Sequence, residues 1–278
     1  MPDAQPIALT IAGSDSSGGA GIQADLKTFA ALGVYGASVI TALTAQNTTG
    51  VSGVHDAPPE FVTAQIDAVF SDLDVAAVKI GMVSQTATIE AIVAGLDRWK
   101  PRYVVVDPVM VATSGAHLLA ASAIDLLRKE LLPRATVITP NLPEAGALLG
   151  TPVATVRAAI ERQAHDLLQL GARAVLIKGG HGEDAESIDY LVTPEVTRAF
   201  SAARIATKNT HGTGCTLSSA IAAGLARGMP LEAAIEAAKR YVTAAIAAAD
   251  TLAVGRGHGP LQHFHAFMPK HPSGEKKT

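Results

Sequence analysis

The sequence predicts a three-layer α/β/α domain built on a mostly parallel β-sheet. Short β-branched runs alternate with longer amphipathic segments along almost the whole of the 278 residues, which is the pattern of repeated strand–helix–strand units. The strand-like runs are apolar, as parallel strands covered on both faces require. Only 4% of the residues are aromatic, so the core is expected to consist of small and aliphatic side chains, which let helices pack closely on a sheet.

The parallel part of the sheet is predicted from six strand-like runs that are separated by helical patterns. The strands are expected at residues 7–11, 37–43, 75–80, 103–107, 136–138 and 174–178. The helices are expected at residues 21–32, 59–73, 86–99, 120–132, 142–149 and 155–170. Several of these segments end in Gly or Pro, as the last does before Gly171, where a helix C-terminus commonly places one.

The pattern changes after residue 178. A polar loop leads to two short strand-like runs, residues 189–192 and 196–200, which are expected to form an antiparallel edge. Two Ala-rich helices, residues 212–227 and 231–250, then close the fold. Because neither a linker nor a repeat of fixed period is visible, residues 1–268 are predicted to form one domain, and the polar residues 269–278 a disordered tail.

Composition excludes several classes of protein. A chain of this length buries enough surface to fold without disulfides or structural metals, and its single cysteine, Cys215, excludes an intrachain disulfide and a Cys-rich zinc site. A net charge of −3 argues against a nucleic-acid partner. No secretion signal or apolar stretch of membrane-spanning length is visible, so a cytoplasmic protein without a membrane partner is expected.

The first candidate site is the Gly-rich segment GSDSSGGAG, residues 13–21, between the first strand and the first helix. Glycines let a ligand approach the backbone, and a helix N-terminus offers free N–H groups. The segment could equally be an ordinary tight turn. It matches neither the dinucleotide-binding fingerprint nor a phosphate loop that ends in Gly-Lys-Ser/Thr.

The second candidate is NTHGTGCT, residues 209–216, at the start of an Ala-rich helix. Small residues before a helix let several N–H groups converge on an anion or a developing negative charge. Cys215 falls in the first turn, where the helix dipole is expected to lower the pKa of its thiol. The alternative is that Cys215 is a small residue that packs the helix onto the sheet.

Polar side chains also recur where predicted strands end. Asp107 ends one strand, Asn141 and Glu144 follow the next, and Lys178 ends the sixth. Ligands of open α/β folds bind at the carboxyl ends of the strands, so these residues fit a metal and phosphate site. Each residue taken singly could instead be a helix cap or a turn residue.

Two groups of histidines invite other interpretations. His211 and Cys215 are four residues apart and could form a Cys–His nucleophile pair, although the intervening glycines make a continuous helix there doubtful. His258, His263 and His265 have the spacing of metal ligands. Because no Cys or acidic residue lies among them, a packed C-terminal segment is the favoured interpretation.

Seven ordered motifs together resemble one known family. The motifs are GSDSSGGAGIQADLKTF (13–29), ITALTAQNT (40–48), KIGM (79–82), DPVM (107–110), ITPNLPEA (138–145), KGGH (178–181) and KNTHGTGCT (208–216). In this combination the chain resembles the hydroxymethylpyrimidine/phosphomethylpyrimidine kinases, the thiamine-pathway branch of the ribokinase-like family, and the resemblance runs over residues 7–267. The resemblance implies a ribokinase-like fold and the transfer of phosphoryl groups from ATP, with Mg²⁺, to 4-amino-5-hydroxymethyl-2-methylpyrimidine and then to its monophosphate. It also implies a homodimer.

The resemblance carries over roles for the phosphoryl-transfer residues. Gly212, Thr213 and Gly214 would form the anion hole, and Cys215 would orient the substrate hydroxyl or take its proton. Lys178 would act in catalysis and, with Thr210 and Asn141, would bind the nucleotide. Asp107 and Glu144 would hold Mg²⁺ or its waters.

It also carries over a pyrimidine pocket. Gln46 would bind the aminopyrimidine ring, because a carboxamide offers both a donor and an acceptor. Asp25, Gly13 and Ala20 would line the same pocket, and Met82 and Val109 would form its apolar walls.

Two positions depart from the pattern of the family. Ser16 stands where relatives commonly have Pro, with little expected loss of function. Thr113 and Ala116 stand where relatives commonly have Lys and Asp, which puts the efficiency on the monophosphate in doubt. Three alternatives remain: a pyridoxal or pyridoxine kinase, a non-catalytic ligand-binding module with the same fold, and a Cys–His hydrolase.

Overall fold

The computed structural model describes residues 5–110, 121–180 and 185–268. These residues form a nine-stranded sheet in the order β3-β2-β1-β4-β5-β6-β7-β8-β9. The strands are β1 (Ile7–Asp15), β2 (Tyr35–Asn47), β3 (Gly50–Asp56), β4 (Val75–Ile80), β5 (Tyr103–Val106), β6 (Val137–Ile138), β7 (Val175–Ile177), β8 (Glu186–Val192) and β9 (Thr197–Ala203).

The six central strands, β2, β1, β4, β5, β6 and β7, pair in parallel. Strand β3 at one edge and strands β8 and β9 at the other edge pair antiparallel. The predicted antiparallel edge is confirmed. Strand β3 was not predicted, because its sequence, GVSGVHD, has few apolar residues and most of its side chains are exposed.

Eight helices cover the two faces of the sheet within the described residues. They are α1 (Gly21–Ala31), α2 (Pro59–Phe70), α3 (Thr86–Trp99), α4 (Ala121–Leu126), α5 (Leu142–Leu149), α6 (Arg157–Leu168), α7 (Thr213–Ala226) and α8 (Leu231–Ala247). Helices α2 to α6 share one apolar core with the sheet, and α1, α7 and α8 share the other. The predicted three-layer α/β/α architecture is confirmed.

Several element boundaries differ from those predicted. Strand β1 continues through Asp15 and β2 through Asn47, beyond the predicted ends at residues 11 and 43. The helix predicted at residues 120–132 widens after α4 into a π-turn over Leu127–Leu131 and tightens at Leu132–Arg134, where Pro133 enters. The longer β1 and β2 carry Asp15 and Gln46 toward the site.

The site lies where the topology opens a crevice. Strand β1 is flanked by β2 and β4, and the helices that follow β1 and β4, α1 and α3, pack on opposite faces of the sheet. Such a reversal leaves room for a ligand at the carboxyl ends of the strands. No helix in the described part of the chain is long and apolar enough to cross a membrane. The proposed tail, residues 269–278, lies outside the described residues.

Candidate active site

A cavity of about 660 Å³ opens at this crevice. Its wall is formed by strand ends, the N-termini of α5 and α7, and the segments beside them. Fourteen of the residues expected at the site line it: Gly13, Ala20, Gln46, Met82, Asp107, Val109, Asn141, Glu144, Lys178, Thr210, Gly212, Thr213, Gly214 and Cys215. Residues from all seven sequence motifs therefore meet at one cavity. His181, the last residue of one motif, and the two departures from the family pattern, Thr113 and Ala116, lie outside the described residues.

The turn before α7 requires glycine. Gly212 has φ +84°, and a Cβ there would lie 1.9 Å from the carbonyl oxygen of Gly19, so the turn packs backbone to backbone against the Gly-rich segment after β1. The amides of Thr213 and Thr216 bond to Thr210 and Gly212. Among the described residues, the amides of Gly214 and Cys215 have no backbone partner. They are available to an anion, with the positive end of the helix dipole behind them.

Lys178 connects two carboxylates in the wall of the cavity. Its Nζ lies 2.6 Å from Asp107 and 3.7 Å from Glu144. Although burial disfavours its charge, Asp107 and Glu144 raise the pKa of Lys178. A Cβ at Gly214 would lie 3.4 Å from Lys178 Nζ, so the lysine faces the anion-binding turn. A positive charge therefore lies beside the turn whose amides are available to an anion.

Asn141 and Glu144 also cap α5. The Asn141 side chain accepts from the Glu144 amide at 2.8 Å, and a Glu144 oxygen accepts from the Asn141 amide at 2.7 Å. This is a capping box, so the interpretation of these residues as helix caps is confirmed, while the same side chains line the cavity. The cap holds Glu144 beside Lys178.

The carboxylates suit a hydrated divalent cation better than a closed metal cage. Burial, and then the nearby Asp107, raise the pKa of Glu144 despite Lys178. Burial also acts to raise the pKa of Asp107, but there Lys178 and Lys79 outweigh it and the pKa is lowered. The described residues contain no group of three or more His, Cys, Asp or Glu arranged for a metal. Two crowded carboxylates whose charge exceeds that of one lysine fit Mg²⁺ that is held mainly by phosphates and water.

The prediction of a lowered thiol pKa for Cys215 is wrong. Burial raises the pKa of Cys215 to about 11; Lys79 opposes the rise, and Asp25 and Asp107 add to it. The effect of the α7 dipole is outweighed because two carboxylates and the loss of solvent both disfavour a thiolate. At neutral pH the group that faces the cavity is a thiol.

Asp25 does not line the cavity, contrary to expectation. It lies beneath the wall with no exposed surface, where it pairs with Lys79 at 2.8 Å. The hydroxyls of Thr10 and Ser219 each donate to it at 2.6 Å. Asp25 therefore supports the wall, and it is Lys79 that reaches the cavity.

Gln46 is held in the wall of the cavity by its backbone. The Ser16 hydroxyl donates to the Gln46 carbonyl at 2.7 Å and accepts from the Gln46 amide at 2.9 Å. Met82 packs against Gly13, where a Cβ would lie 2.5 Å from the methionine methyl carbon. Apolar walls beside a carboxamide suit a flat heteroaromatic ring.

Two further residues at the site, Asp15 and His211, were missed as site residues. Asp15 accepts from the amides of Ser17, Gly19 and Ala20 and from the Ser17 hydroxyl. His211 Nε2 lies 2.9 Å from Asp15 Oδ2 and 3.3 Å from Gln46 Nε2. Burial opposes ionisation of Asp15, but these partners hold its pKa far below the usual range. The Asp-Ser-Ser-Gly-Gly spacing, typical of a carboxylate closing its own turn, was the available signal.

The other two histidine interpretations are resolved by contacts. The His211 ring faces Asp15 rather than forming a pair with Cys215. His263 is buried, with Nε2 3.0 Å from the Thr216 hydroxyl, and His265 packs on the Tyr241 ring. A packed C-terminal segment is confirmed for these two residues.

Comparison with known proteins agrees with this geometry. The family described as phosphomethylpyrimidine kinase matches residues 15–262. A Rhizobium meliloti protein named hydroxymethylpyrimidine/phosphomethylpyrimidine kinase is 61% identical over 94% of this chain and 98% of its own length. The crystal structure of the Clostridium difficile phosphomethylpyrimidine kinase is 48% identical, with a TM-score of 0.78 over 87% of this chain and 100% of that one. The ADP complex of Bacillus subtilis pyridoxal kinase is 36% identical, with a TM-score of 0.89 over 96% of this chain and 100% of that one. The chain therefore belongs to the phosphomethylpyrimidine kinase family and has its ribokinase-like fold.

Proposed function

We propose that the protein transfers the γ-phosphoryl group of ATP to the hydroxyl of 4-amino-5-hydroxymethyl-2-methylpyrimidine, and then a second one to the monophosphate, in thiamine biosynthesis. The observation that carries the proposal is that one cavity is lined both by Gln46 and by Lys178 with the Gly212–Cys215 turn. A carboxamide for the ring and an anion-binding turn for the phosphate match the two ends of this substrate. The names of two similar relatives support the assignment.

The nucleotide is proposed to lie on the Lys178 side. Lys178, Thr210 and Asn141 would contact its phosphates, and Asp107 and Glu144 would hold Mg²⁺ or its waters. When bound, Mg²⁺ neutralises charge on the transferred phosphoryl group. The protein's own contribution is positional: the amides of Gly214 and Cys215, with Lys178, stabilise the charge that develops on the phosphoryl oxygens.

Cys215 is proposed to orient the substrate hydroxyl and to relay its proton late. A thiol with a pKa near 11 already carries a proton, so it can take another only by giving up its own. In a loose phosphoryl-transfer transition state the hydroxyl becomes acidic only as the bond to phosphorus forms. At that stage the sulfur takes the hydroxyl proton while the S–H proton passes to an oxygen of the transferred phosphoryl group, so the thiol is regenerated and no preformed strong base is needed.

A pyridoxal kinase is the second candidate, and the solved structure with 36% identity, a pyridoxal kinase, favours it. A direct comparison of substrates separates the two. Purified protein with MgATP should give a higher kcat/KM with the hydroxymethylpyrimidine than with pyridoxal, and phosphorus NMR should show first a monophosphate and then a diphosphate. A higher kcat/KM for pyridoxal would reverse the assignment, and no substrate-dependent ADP formation would favour a non-catalytic module.

Gln46→Ala tests the ring-binding end separately from the phosphate end. The variant should raise KM for the pyrimidine by about 10-fold or more, as loss of a buried hydrogen-bonding group does. KM for ATP should stay within about twofold, since the proposed nucleotide contacts, Lys178, Thr210 and Asn141, do not include Gln46. An unchanged pyrimidine KM would remove Gln46 from the binding site.

The cellular state is also proposed from the family resemblance: a homodimer in the cytoplasm. Exposed apolar side chains support a subunit interface, among them Leu43 on β2, Val54 on β3 and Phe61 on α2, at 52%, 46% and 60% exposure. Sedimentation equilibrium should give about twice the mass of the chain. Leu43→Lys should shift the distribution toward monomer.

A further inference from the structure

One imidazole nitrogen joins three of the motifs that form the cavity. His211 Nε2, from the loop before α7, lies 2.9 Å from Asp15 Oδ2 at the end of β1 and 3.3 Å from the carboxamide of Gln46 near the end of β2. Both His211 and Asp15 are buried, at 6% and 3% exposure. A nitrogen shared in this way has to suit both neighbours.

Asp15 determines what that nitrogen does. Its carboxylate is surrounded by donors: three backbone amides, those of Ser17, Gly19 and Ala20, and the Ser17 hydroxyl. A carboxylate held by so many donors is ionised and can only accept. His211 Nε2 therefore carries a proton and donates it to Asp15, and it cannot accept a hydrogen bond from Gln46.

Thr44 imposes a matching requirement at the other end of the carboxamide. Its hydroxyl has one hydrogen, which it donates to the Ser14 carbonyl at 2.9 Å. Toward Gln46, 3.2 Å away, Thr44 Oγ1 can then only accept. Its neighbour at this end must be the NH₂ of the carboxamide. His211 Nε2 has one hydrogen, which it donates mainly to Asp15 at the shorter distance. An NH₂ beside this N–H would set two donors against each other, so the neighbour of Nε2 must be the carboxamide oxygen, which shares that hydrogen. A half-turn of the Gln46 amide, which exchanges two groups of nearly equal size, satisfies both ends.

From these contacts we infer that His211 is a positioning residue that fixes the orientation of the Gln46 carboxamide and thereby the direction in which the substrate ring lies. This rests on the proposed function, in which Gln46 binds the ring. The oxygen on the His211 side retains a lone pair, and the NH₂ on the Thr44 side retains one hydrogen. A ring with an amino group beside a ring nitrogen fits in one direction only: amino group toward His211, ring nitrogen toward Thr44.

Under the proposed function, that direction is the productive one. In 4-amino-5-hydroxymethyl-2-methylpyrimidine the amino group lies between the ring nitrogen and the hydroxymethyl group. With the amino group on the His211 side, the hydroxymethyl group is carried onward toward Gly212 and Cys215, which follow His211 in the chain. The opposite orientation of the carboxamide would turn the ring over and direct the hydroxyl away from the anion-binding turn. His211 thus selects against rings without the amino group.

A double-mutant cycle between the protein and the substrate tests this role. The natural substrate is compared with its analogue that has hydrogen in place of the 4-amino group, in wild type, His211→Phe and His211→Gln, with His55→Phe on the exposed β3 as control. Wild type and the control should lose about 100-fold in kcat/KM with the analogue, and His211→Phe about fivefold or less. His211→Gln, whose NH₂ can donate from a similar place, should recover part of the discrimination. KM for ATP should stay within about twofold throughout.

The outcomes separate the role of His211 from the proposed function. Wild type that does not turn over the pyrimidine at all would contradict the function. If wild type turns over the pyrimidine, and wild type and His211→Phe lose kcat/KM equally with the analogue, His211 has only a structural role. Because Phe at this position could impair folding beside Gly19, the tautomer supplies a second measurement: ¹⁵N NMR of histidine-labelled wild type should show His211 protonated at Nε2, and a neutral ring protonated at Nδ1 alone would overturn the inference.

Discussion

The ammonium of Lys79 and the carboxylate of Asp25 lie 2.8 Å apart beneath the cavity, with neither side chain exposed. Thr10 and Ser219 complete the shell of the carboxylate. The four residues come from β4, α1, β1 and α7, so a single ionic group joins the helical layer on one face to two central strands. Asp25 supports the cavity through this pair, and Lys79 is the member that reaches the wall.

Lys79→Met should destabilise the fold by about 3–5 kcal/mol, because it leaves the buried Asp25 carboxylate without its counterion. The free energy of unfolding from urea titration measures the effect. In the double variant Lys79→Met/Asp25→Asn the uncompensated charge is gone, and more than half of the lost stability should return. If the double variant were as unstable as the single one, packing of the lysine stem rather than charge would explain the loss.

The sequence was sufficient for those features that depend on local patterns. The parallel strands were predicted because each is a short apolar run, and Asp107, Glu144 and Lys178 were placed together because carboxyl ends of parallel strands share one edge of a sheet. Strand β3 lacked such a pattern, since an exposed edge strand buries few side chains.

Features that depend on pairs far apart in the chain could not be predicted in the same way. Asp25 and Lys79 are 54 residues apart, and Asp15 and His211 are 196 apart. The pKa of Cys215 was predicted in the wrong direction because the helix dipole is visible in the sequence, whereas burial and the approach of two carboxylates exist only in the folded chain.

His263 should make the protein less stable in acid. Burial, and then the charges of Lys27 and His265, lower its pKa from 6.5 to about 4. Above pH 6.5 the ring is neutral in both states; as the pH falls from 6.5 to 4, the unfolded chain takes up a proton that the folded protein excludes. The stability lost over this window should approach about 3 kcal/mol.

Urea titrations at pH 7 and pH 4.5 measure that loss. In His263→Gln, whose amide can still bond to Thr216 but does not titrate, the difference in unfolding free energy between the two pH values should be smaller than in wild type. His55→Gln, at an exposed position, should behave as wild type. Equal pH dependence in all three proteins would mean that His263 is protonated equally in the folded and unfolded states.

Ser16, which stands where relatives commonly have proline, should hold the turn before α1 against Gln46. Its hydroxyl both donates to and accepts from the Gln46 backbone, so Ser16→Ala should raise KM for the pyrimidine by about three- to tenfold, the value of one or two exposed hydrogen bonds. Ser16→Pro should recover part of this loss by fixing φ in the turn. Ser71→Ala, at the end of α2, should leave KM unchanged. A normal KM in Ser16→Ala would show that Gln46 is held in place without the hydroxyl.

Cys215 allows the thiol pKa to be measured without interference, because it is the only cysteine in the chain. Only the thiolate reacts with iodoacetamide, and a pKa of about 11 leaves about one thiol in ten thousand ionised at pH 7. The alkylation rate should therefore rise about tenfold per pH unit from pH 7 to beyond pH 9. If the alkylation rate instead reached a plateau below pH 8, Cys215 would be a thiolate stabilised by the dipole of α7, as its position at the start of the helix suggests.

Cys215→Ala connects this measurement with catalysis. If the thiol orients the hydroxyl and relays its proton late, the variant should lose about 100- to 10,000-fold in kcat with KM for ATP unchanged, because only a transition-state interaction is removed. The pH profile of kcat for wild type should show no titration of Cys215 near pH 7, since the thiol is protonated throughout the physiological range. Turnover at the wild-type rate in Cys215→Ala would limit the cysteine to packing α7 onto the sheet.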